Sequence, residues 1–344
     1  MELISKSEPR VAIVGEAWGE EEEIQGRPFV GPTGRFLSHC LRVAGIDRRS
    51  ALLTNVFNLR PRPSNDIKNL CGGKLEGIPG YPALVQNKYV LSQYRAELVR
   101  LHTELDSFRP TLIIALGATA SWALLKSSGI RKIRGAPAIG YNGYKVLPTY
   151  HPSAVIRQYN LYPILIADLQ KAAKEMHFPE VRRPQRFIHV EPTYEDLLRF
   201  ERQWIDPSDS LSIDIETASS QITCIGFAPS VDRALVVPIV DDTKGDHNYW
   251  PDLETEVAVW RWIARMCSLP KAHILGQNFN FDMKFLIMSY GIPVLRASDD
   301  IMLMHHALQP ELEKSLGFMG SVYTNELPWK FMRPKHNTTT KLED

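Results

Sequence analysis

The sequence is poor in cysteine and has no long apolar run. Its four cysteines, Cys40, Cys71, Cys224 and Cys267, are scattered over 344 residues, and no two form a C-x-x-C pair. That spacing supports neither a zinc nor an iron–sulfur site, and a disulfide framework is not expected. No run of about 18 apolar residues is present, so no membrane partner is expected. The opening "MELISKSEPR" lacks the apolar segment of a secretory signal, which makes the cytoplasm the expected location. A G-x-x-x-x-G-K-[ST] loop is also missing, which sets aside a P-loop nucleotide-binding protein.

Charge is present in both signs but unevenly placed. The formal net charge is +1. Residues 1–178 hold 23 Lys/Arg against 15 Asp/Glu, a balance of +8, and the remainder holds 17 against 24, a balance of −7. A basic half suits a polyanion such as nucleic acid; unevenly placed but solvated surface charge is the plain alternative.

The periodicities divide the chain in two. In the first half, apolar strands ("RVAIVGE", "ALLTNVF", "TLIIALG", "YKVLPTY") alternate with helical patterns, which predicts an α/β domain with a three-layer parallel sheet over residues 1–178. "FPEVRRPQR" has two prolines, three arginines and no period; residues 179–186 read as a linker. Residues 187–344 open with a short strand and a helix. Three successive strands follow, "LSIDIE", "ITCIGFA" and "RALVVPIV", and then helices. That pattern predicts a mixed sheet with an antiparallel meander.

Three stretches of the first half carry candidate chemistry. "VGEAWGEEEEIQGRPFVGPTGRFL" is a glycine-rich loop after a strand, with four consecutive acids, Glu20 to Glu23. "LLTNVFNLRPRP" and "LPTYHPSAVIR" place Asn55 and His151 at the C-terminal ends of strands, the edge where open α/β sheets bind ligands. An Asn side chain offers a donor and an acceptor to a base edge, Phe29 can stack on a flat ring, and a His can donate to an oxygen gaining negative charge. Together the stretches resemble the uracil-DNA glycosylase superfamily over about residues 10–175, in particular its family-four type and related domains fused to phage-type DNA polymerases. The resemblance implies uracil-containing DNA as partner. Gly15–Glu16–Ala17 and the acids after them, Glu22 foremost, would hold or orient the hydrolytic water, with Glu16 close to the substrate. Phe29 would stack on the flipped base, Asn55 would read the uracil edge, and His151 would stabilise the leaving anion. Trp18 departs from the family-four motif, which usually has Pro there, and Leu59 stands where one cluster-binding Cys is usual. A cluster-free domain is therefore expected.

The second half poses a physical puzzle in "LSIDIETASS". Asp214 and Glu216 sit two apart, on one face of an apolar strand, and like charges so placed need a cation between them. "ILGQNFNFDMKFL" brings a third acid, Asp282, to a helix start. Three carboxylates on adjacent elements suit two Mg²⁺ or Mn²⁺ ions about 3.5–4 Å apart, the arrangement of two-metal phosphodiester cleavage. "DIET" with "NxNFD" resembles the DEDD 3′–5′ exonucleases, which have a ribonuclease-H-like fold. "DDIMLMHHALQPELEKSLGFMGSVYTNELPWK" resembles the proofreading domain of family-A DNA polymerases. The resemblance implies metal ligation by Asp214, Glu216 and Asp282, substrate contacts from Thr217 and Asn278, and a supporting Asp300. Single-stranded 3′ ends would be the substrate. His305 and His306 read as packed or capping residues. The fourth family carboxylate belongs downstream of Trp329 and Lys330, and no matching motif is present. The resemblance therefore implies the front part of a longer or split polymerase, with a polymerase partner chain, in a bacterial or phage-infected cytoplasm. Two readings stay open: a DNA-processing enzyme of replication and repair, or a catalytically incomplete DNA-binding module that tethers a polymerase.

Overall fold

The computed structural model of the chain describes residues 9–218 and 220–326, so Trp329 and Lys330 lie outside the described residues. Two compact units emerge, one of residues up to Arg183 together with those from Gly317, the other of Pro184–Leu316.

In the first unit the apolar runs become strands covered on both sides, as parallel sheets require. β1 (Val11–Ala17) leads through α1 (Glu20–Gln25) and α2 (Pro32–Ala44) to β2 (Leu52–Phe57). A small hairpin of β3 (Cys71–Gly72) and β4 (Tyr89–Val90) precedes α3 (Arg95–Phe108) and β5 (Leu112–Leu116). α4 (Gly117–Leu125), α5 (Ile130–Ile133), β6 (Ala138–Ile139), β7 (Lys145–Thr149), α6 (Pro152–Arg157) and α7 (Tyr162–Glu175) complete the succession. The sheet order is β2-β1-β5-β7-β6; β6 alone runs antiparallel, to β7. Ala12, Val14, Ile113 and Ala115 pack on one face with α3 and α4 residues such as Leu101 and Trp122. The alternate residues Ile13, Ile114 and Leu147 are fully buried and face the other way, giving three layers.

The second unit contains β8 (Phe187–His189), α8 (Tyr194–Phe200), β9 (Ser210–Ala218), β10 (Gln221–Ser230), β11 (Arg233–Pro238) and α9 (Leu253–Met266). β12 (His273–Gly276), α10 (Asn280–Tyr290), β13 (Ala297–Asp300) and α11 (Ile301–Leu308) follow, and α12 (Leu316–Tyr323) is the last element in the described residues. β9, β10 and β11 form an antiparallel meander. β12 joins β9 in parallel, and the order is β13-β12-β9-β10-β11-β8, a mixed sheet. β9 is thus interior. Its Leu211, Ile213 and Ile215 enter a core with Phe227, Trp262 and Leu286, while Asp214 and Glu216 point to the opposite, exposed face.

The segment from Gly317 belongs with the first unit. The Ser321 hydroxyl accepts from Arg134 Nη1 at 2.9 Å. Lys171 Nζ donates to the carbonyls of Ser321 and Thr324 at 2.8 and 2.6 Å. Arg134 itself pairs with Asp168, both fully buried. Among the described residues no helix is long and apolar enough to cross a membrane.

Candidate functional site

A cavity of about 750 Å³ opens where β1, β2 and β7 end, the expected edge of such a sheet. Glu16, Glu22, Phe29, Asn55 and His151, singled out in three separate stretches of sequence, all line it. Strand register explains part of this convergence. Gly15 of β1 lies opposite Asn55 of β2, and a Cβ on Gly15 would stand 2.3 Å from Asn55 Oδ1 and 2.5 Å from Phe29 Cζ. Only hydrogen at that position lets the amide and the ring meet. Phe29 sits at φ 56°, a conformation that costs a non-glycine residue about 1–3 kcal/mol; Arg48 Nη2 holds its carbonyl at 2.8 Å. The end of β2 is held too, because Arg100 Nη2 donates to Asn55 O at 2.7 Å and to Val56 O at 3.1 Å. The Asn55 side chain is 2% exposed.

His151 follows β7 and caps α6. The Ser153 amide donates to its Nδ1 at 3.3 Å, and the Ser153 hydroxyl lies 2.7 Å from the same nitrogen. A backbone N–H only donates, so Nδ1 is the acceptor and the proton of the neutral ring sits on Nε2. Desolvation, helped by the charge of Arg157, pushes the imidazole down to about 4. Gly117, at φ 86°, leaves room for this ring: a Cβ there would lie 2.9 Å from His151 Cβ.

The two candidate glutamates differ in their surroundings. Glu22 Oε1 accepts from the amides of Val30 and Gly31 at 3.0 and 2.8 Å, and Oε2 from Gly19 at 3.2 Å. Its carboxylate therefore ties both ends of the glycine-rich loop together. Glu16 accepts from the Thr119 hydroxyl, and burial, reinforced by Asp66, raises its carboxyl above the usual range. The other acids clasp arginines: Glu23 meets Arg62 at 2.7 Å and Arg60 at 3.6 Å. Sequence reading missed Thr119, Arg100, Asp66 and Arg157. Arg157 carries a signal in hindsight, since it follows "HPS" by one helical turn; Thr119 lies in an apolar helix and carries none.

The thiols do not fit a cluster, which needs several cysteines on one centre. Burial pushes Cys40 and Cys71 up to about 11. No group of three His, Cys, Asp or Glu is gathered to hold a metal among the described residues. Leu59 packs instead on an apolar cluster that also takes in Tyr81 and Tyr94.

In the second unit β12 stops at Gly276, having paired with β9 only as far as Ser212. Beyond it the Ile215 amide is taken by Asp282 Oδ1 at 2.9 Å, which brings the third acid beside Asp214 and Glu216. Burial, and then Asp214, raise the Asp282 carboxyl to about 6. Asp300 ties the approach to α10, accepting from the amides of Asn278, Phe279 and Met302 at 3.0, 2.9 and 2.8 Å. Asn278 has φ 53°, and Thr217 is half-buried beside Glu216. The donors are the hard oxygens that Mg²⁺ or Mn²⁺ prefers. They are not drawn into a three-ligand cage among the described residues. His305 is buried, with Nε2 3.1 Å from the Glu313 carbonyl.

Comparison with known proteins adds three findings. The family model of the uracil DNA glycosylase superfamily matches residues 2–176. The type-4 uracil-DNA glycosylase of Thermotoga maritima is 34% identical over 171 residues, covering 47% of this chain and 76% of its own length. That of Pyrobaculum aerophilum is 33% identical over 169 residues, with 47% and 73% covered. Among solved structures, an EXD2 exonuclease domain soaked in Mn and GMP aligns with TM-score 0.27 at 15% identity, over 45% of this chain and 77% of its own.

Proposed function

The chain belongs to the uracil-DNA glycosylase superfamily, and on that premise we propose that it processes DNA by excising uracil with its first unit. The observation that carries this reading is the convergence of Glu16, Phe29, Asn55 and His151 on one cavity. A base inside a duplex must be extruded before its glycosidic bond can be reached. Phe29 then stacks on the ring, and the Asn55 amide, which makes no side-chain hydrogen bond among the described residues, pairs with the uracil edge. Water adds at the sugar carbon beside Glu16, whose carboxylate takes the proton the water gives up, while Glu22 keeps the loop in shape. The carbon–nitrogen bond breaks and the electron pair leaves on uracil. Nε2–H of the neutral His151 donates to the oxygen that gains this charge. A uracil-containing oligonucleotide treated with the protein and then alkali is expected to break at uracil. Asn55→Ala and His151→Ala should each lower the rate roughly 100-fold. Breakage untouched by both substitutions would remove the assignment.

For the second unit we infer a 3′–5′ exonuclease of ribonuclease-H-like type, on the placement of Asp282 beside the Asp214/Glu216 pair. Bound divalent cations would supply an activated water and neutralise the phosphate. Asp214, Glu216 and Asp282 would hold them, and Asn278 and Thr217 would position the 3′ end. In this reading the chain is the front region of a phage-type family-A polymerase or works beside a polymerase partner. The observation favouring the other reading, a binding module with an incomplete nuclease, is the absence of a gathered ligand set among the described residues. A labelled single strand with Mg²⁺ or Mn²⁺ separates them. Shortening from the 3′ end that vanishes in Asp214→Ala supports the nuclease; an intact strand bound by the protein supports the module.

A further inference from the structure

One surface beside the cavity is not used by the proposed excision. Pro32 and Thr33, at the start of α2, line the cavity. One turn further along α2 comes Phe36, and a second turn brings His39, about 4.5 Å and about 9 Å from Thr33 along the axis at 1.5 Å per residue. Tyr162 lies against both, with ring centroids 6.1 Å from Phe36 and 6.2 Å from His39. Tyr159 stacks on Tyr162 at 5.3 Å with planes only 4° apart, and it is 67% exposed. A tyrosine so far exposed, packed on one other ring, contributes little to the fold.

The hydrogen bonds fix the orientation of this aromatic track. Arg42 Nη2 lies 3.3 Å from His39 Nδ1, and His39 Nε2 lies 3.1 Å from Tyr162 Oη. The guanidinium only donates, so Nδ1 accepts, and the neutral ring gives its Nε2 proton to Tyr162. Cations stand at both ends: Arg157 at the cavity rim and Arg42 one turn beyond His39 on α2. Tyr162 lies between Tyr159 and His39, and those two outer rings are exposed; exposed rings between cations are the arrangement that binds unpaired bases along a charged backbone. The excess of basic residues in this half of the chain has the matching sign.

We propose that Tyr159, Tyr162 and His39 form a stacking track for unpaired nucleobases of the single strand that continues from the nucleotide held in the cavity. The track rests on the glycosylase reading for its position, but its test uses DNA without uracil. The full-length chain is held in EDTA, which silences metal-dependent trimming, with a uracil-free single strand carrying one 4-thiothymidine. Irradiation should give an adduct on the peptide containing Tyr159 and Tyr162. In the Tyr159→Ala/Tyr162→Ala variant the adduct should vanish and affinity for the single strand should fall roughly ten-fold, with duplex affinity unchanged. Tyr162→Phe should bind as the parent does. Tyr159→Ala alone, which touches only an exposed ring, should weaken binding without changing the melting temperature. Adducts confined to other peptides, or an unchanged single-strand affinity in both alanine variants, would overturn the track. An equal loss for duplex and single strand would do the same. Failure to excise uracil while the adduct forms would sink the glycosylase reading and leave the track standing.

Discussion

A single imidazole shows how burial sets chemistry at the residue scale. His151 titrates at about 4 in the fold against about 6.5 in an unfolded chain. Above pH 6.5 it is neutral in both states and stability does not depend on it. Between 6.5 and 4 the unfolded chain takes up a proton that the folded one refuses, so stability falls as pH falls, by at most about 3 kcal/mol. Urea midpoints at pH 7.5 and 5 should therefore drop further for the parent than for His151→Gln. The His151 ring resonances should show no titration near 6.5; a midpoint there would refute the burial account. The same neutrality keeps Nε2–H available as a donor, so no loss of excision between pH 8 and 5.5 should come from this group. His151, Asn55 and Phe29 were legible in the sequence because each sits in a short motif at a strand end or in the loop after β1. The different surroundings of Glu16 and Glu22 were not, because they depend on which carboxylate the loop amides occupy and on a hydroxyl, Thr119, 103 residues from Glu16.

Elements place these residues by ending where they do. β12 stops short of the end of β9, and the buried Ile215 amide that it leaves without a strand partner is what Asp282 binds. α10 can begin there because Asp300 gathers three amides, including that of Asn278 at its unfavourable φ. Asp300→Ala would release all three. Hydrogen bonds to a charged acceptor contribute about 1.5–3 kcal/mol each, but these amides are exposed or half-buried and water takes over most of their bonding, so a loss of roughly 2–3 kcal/mol in urea unfolding is expected. Any 3′ trimming should fall roughly ten-fold through the displaced Asp282, with uracil excision unchanged. Asp300→Asn should recover part of both, since one acceptor oxygen remains. Equal trimming by Asp300→Ala and the parent would show that Asp300 does not position the site. The meander of β9 to β11 was readable from period-two runs with intervening turns. β13, with the sequence "ASDD", and the β3–β4 hairpin were not, since neither has an apolar period; each strand is set by its neighbour.

At the scale of the molecule, the path of the chain matters more than its motifs. The first unit is completed by residues from beyond the second: α12 returns to it, burying Met319 and Ser321. This could not be read from the sequence, because a short apolar helix does not name its partner. The partner is a buried charge system. Arg134 and Asp168 are paired where water does not reach, and the pair stays favourable only while its remaining donors are satisfied. Ser321 Oγ satisfies Arg134 Nη1, and Thr149 Oγ1 donates to Asp168 at 2.6 Å. Lys171, pushed down to about 8 by burial, donates hydrogen bonds to the carbonyls of Gly135, Ser321 and Thr324. A chain ended after Leu316 would strip two of those carbonyls and one hydroxyl, and would lose the buried Met319 side chain itself. Each lost partner of a charged group costs roughly 1–3 kcal/mol less whatever water restores, so the net should be about 2–3 kcal/mol. For a unit of this size that is a fall of roughly 5–10 °C in the melting of the first unit, read by calorimetry, with uracil excision failing at correspondingly lower temperature. Arg134→Met/Asp168→Leu/Lys171→Met in the shortened chain should recover much of the loss, because it removes the charges that α12 satisfies. If the shortened chain melts with the parent, the return of α12 is a neighbour's contact and not a part of the first unit's stability.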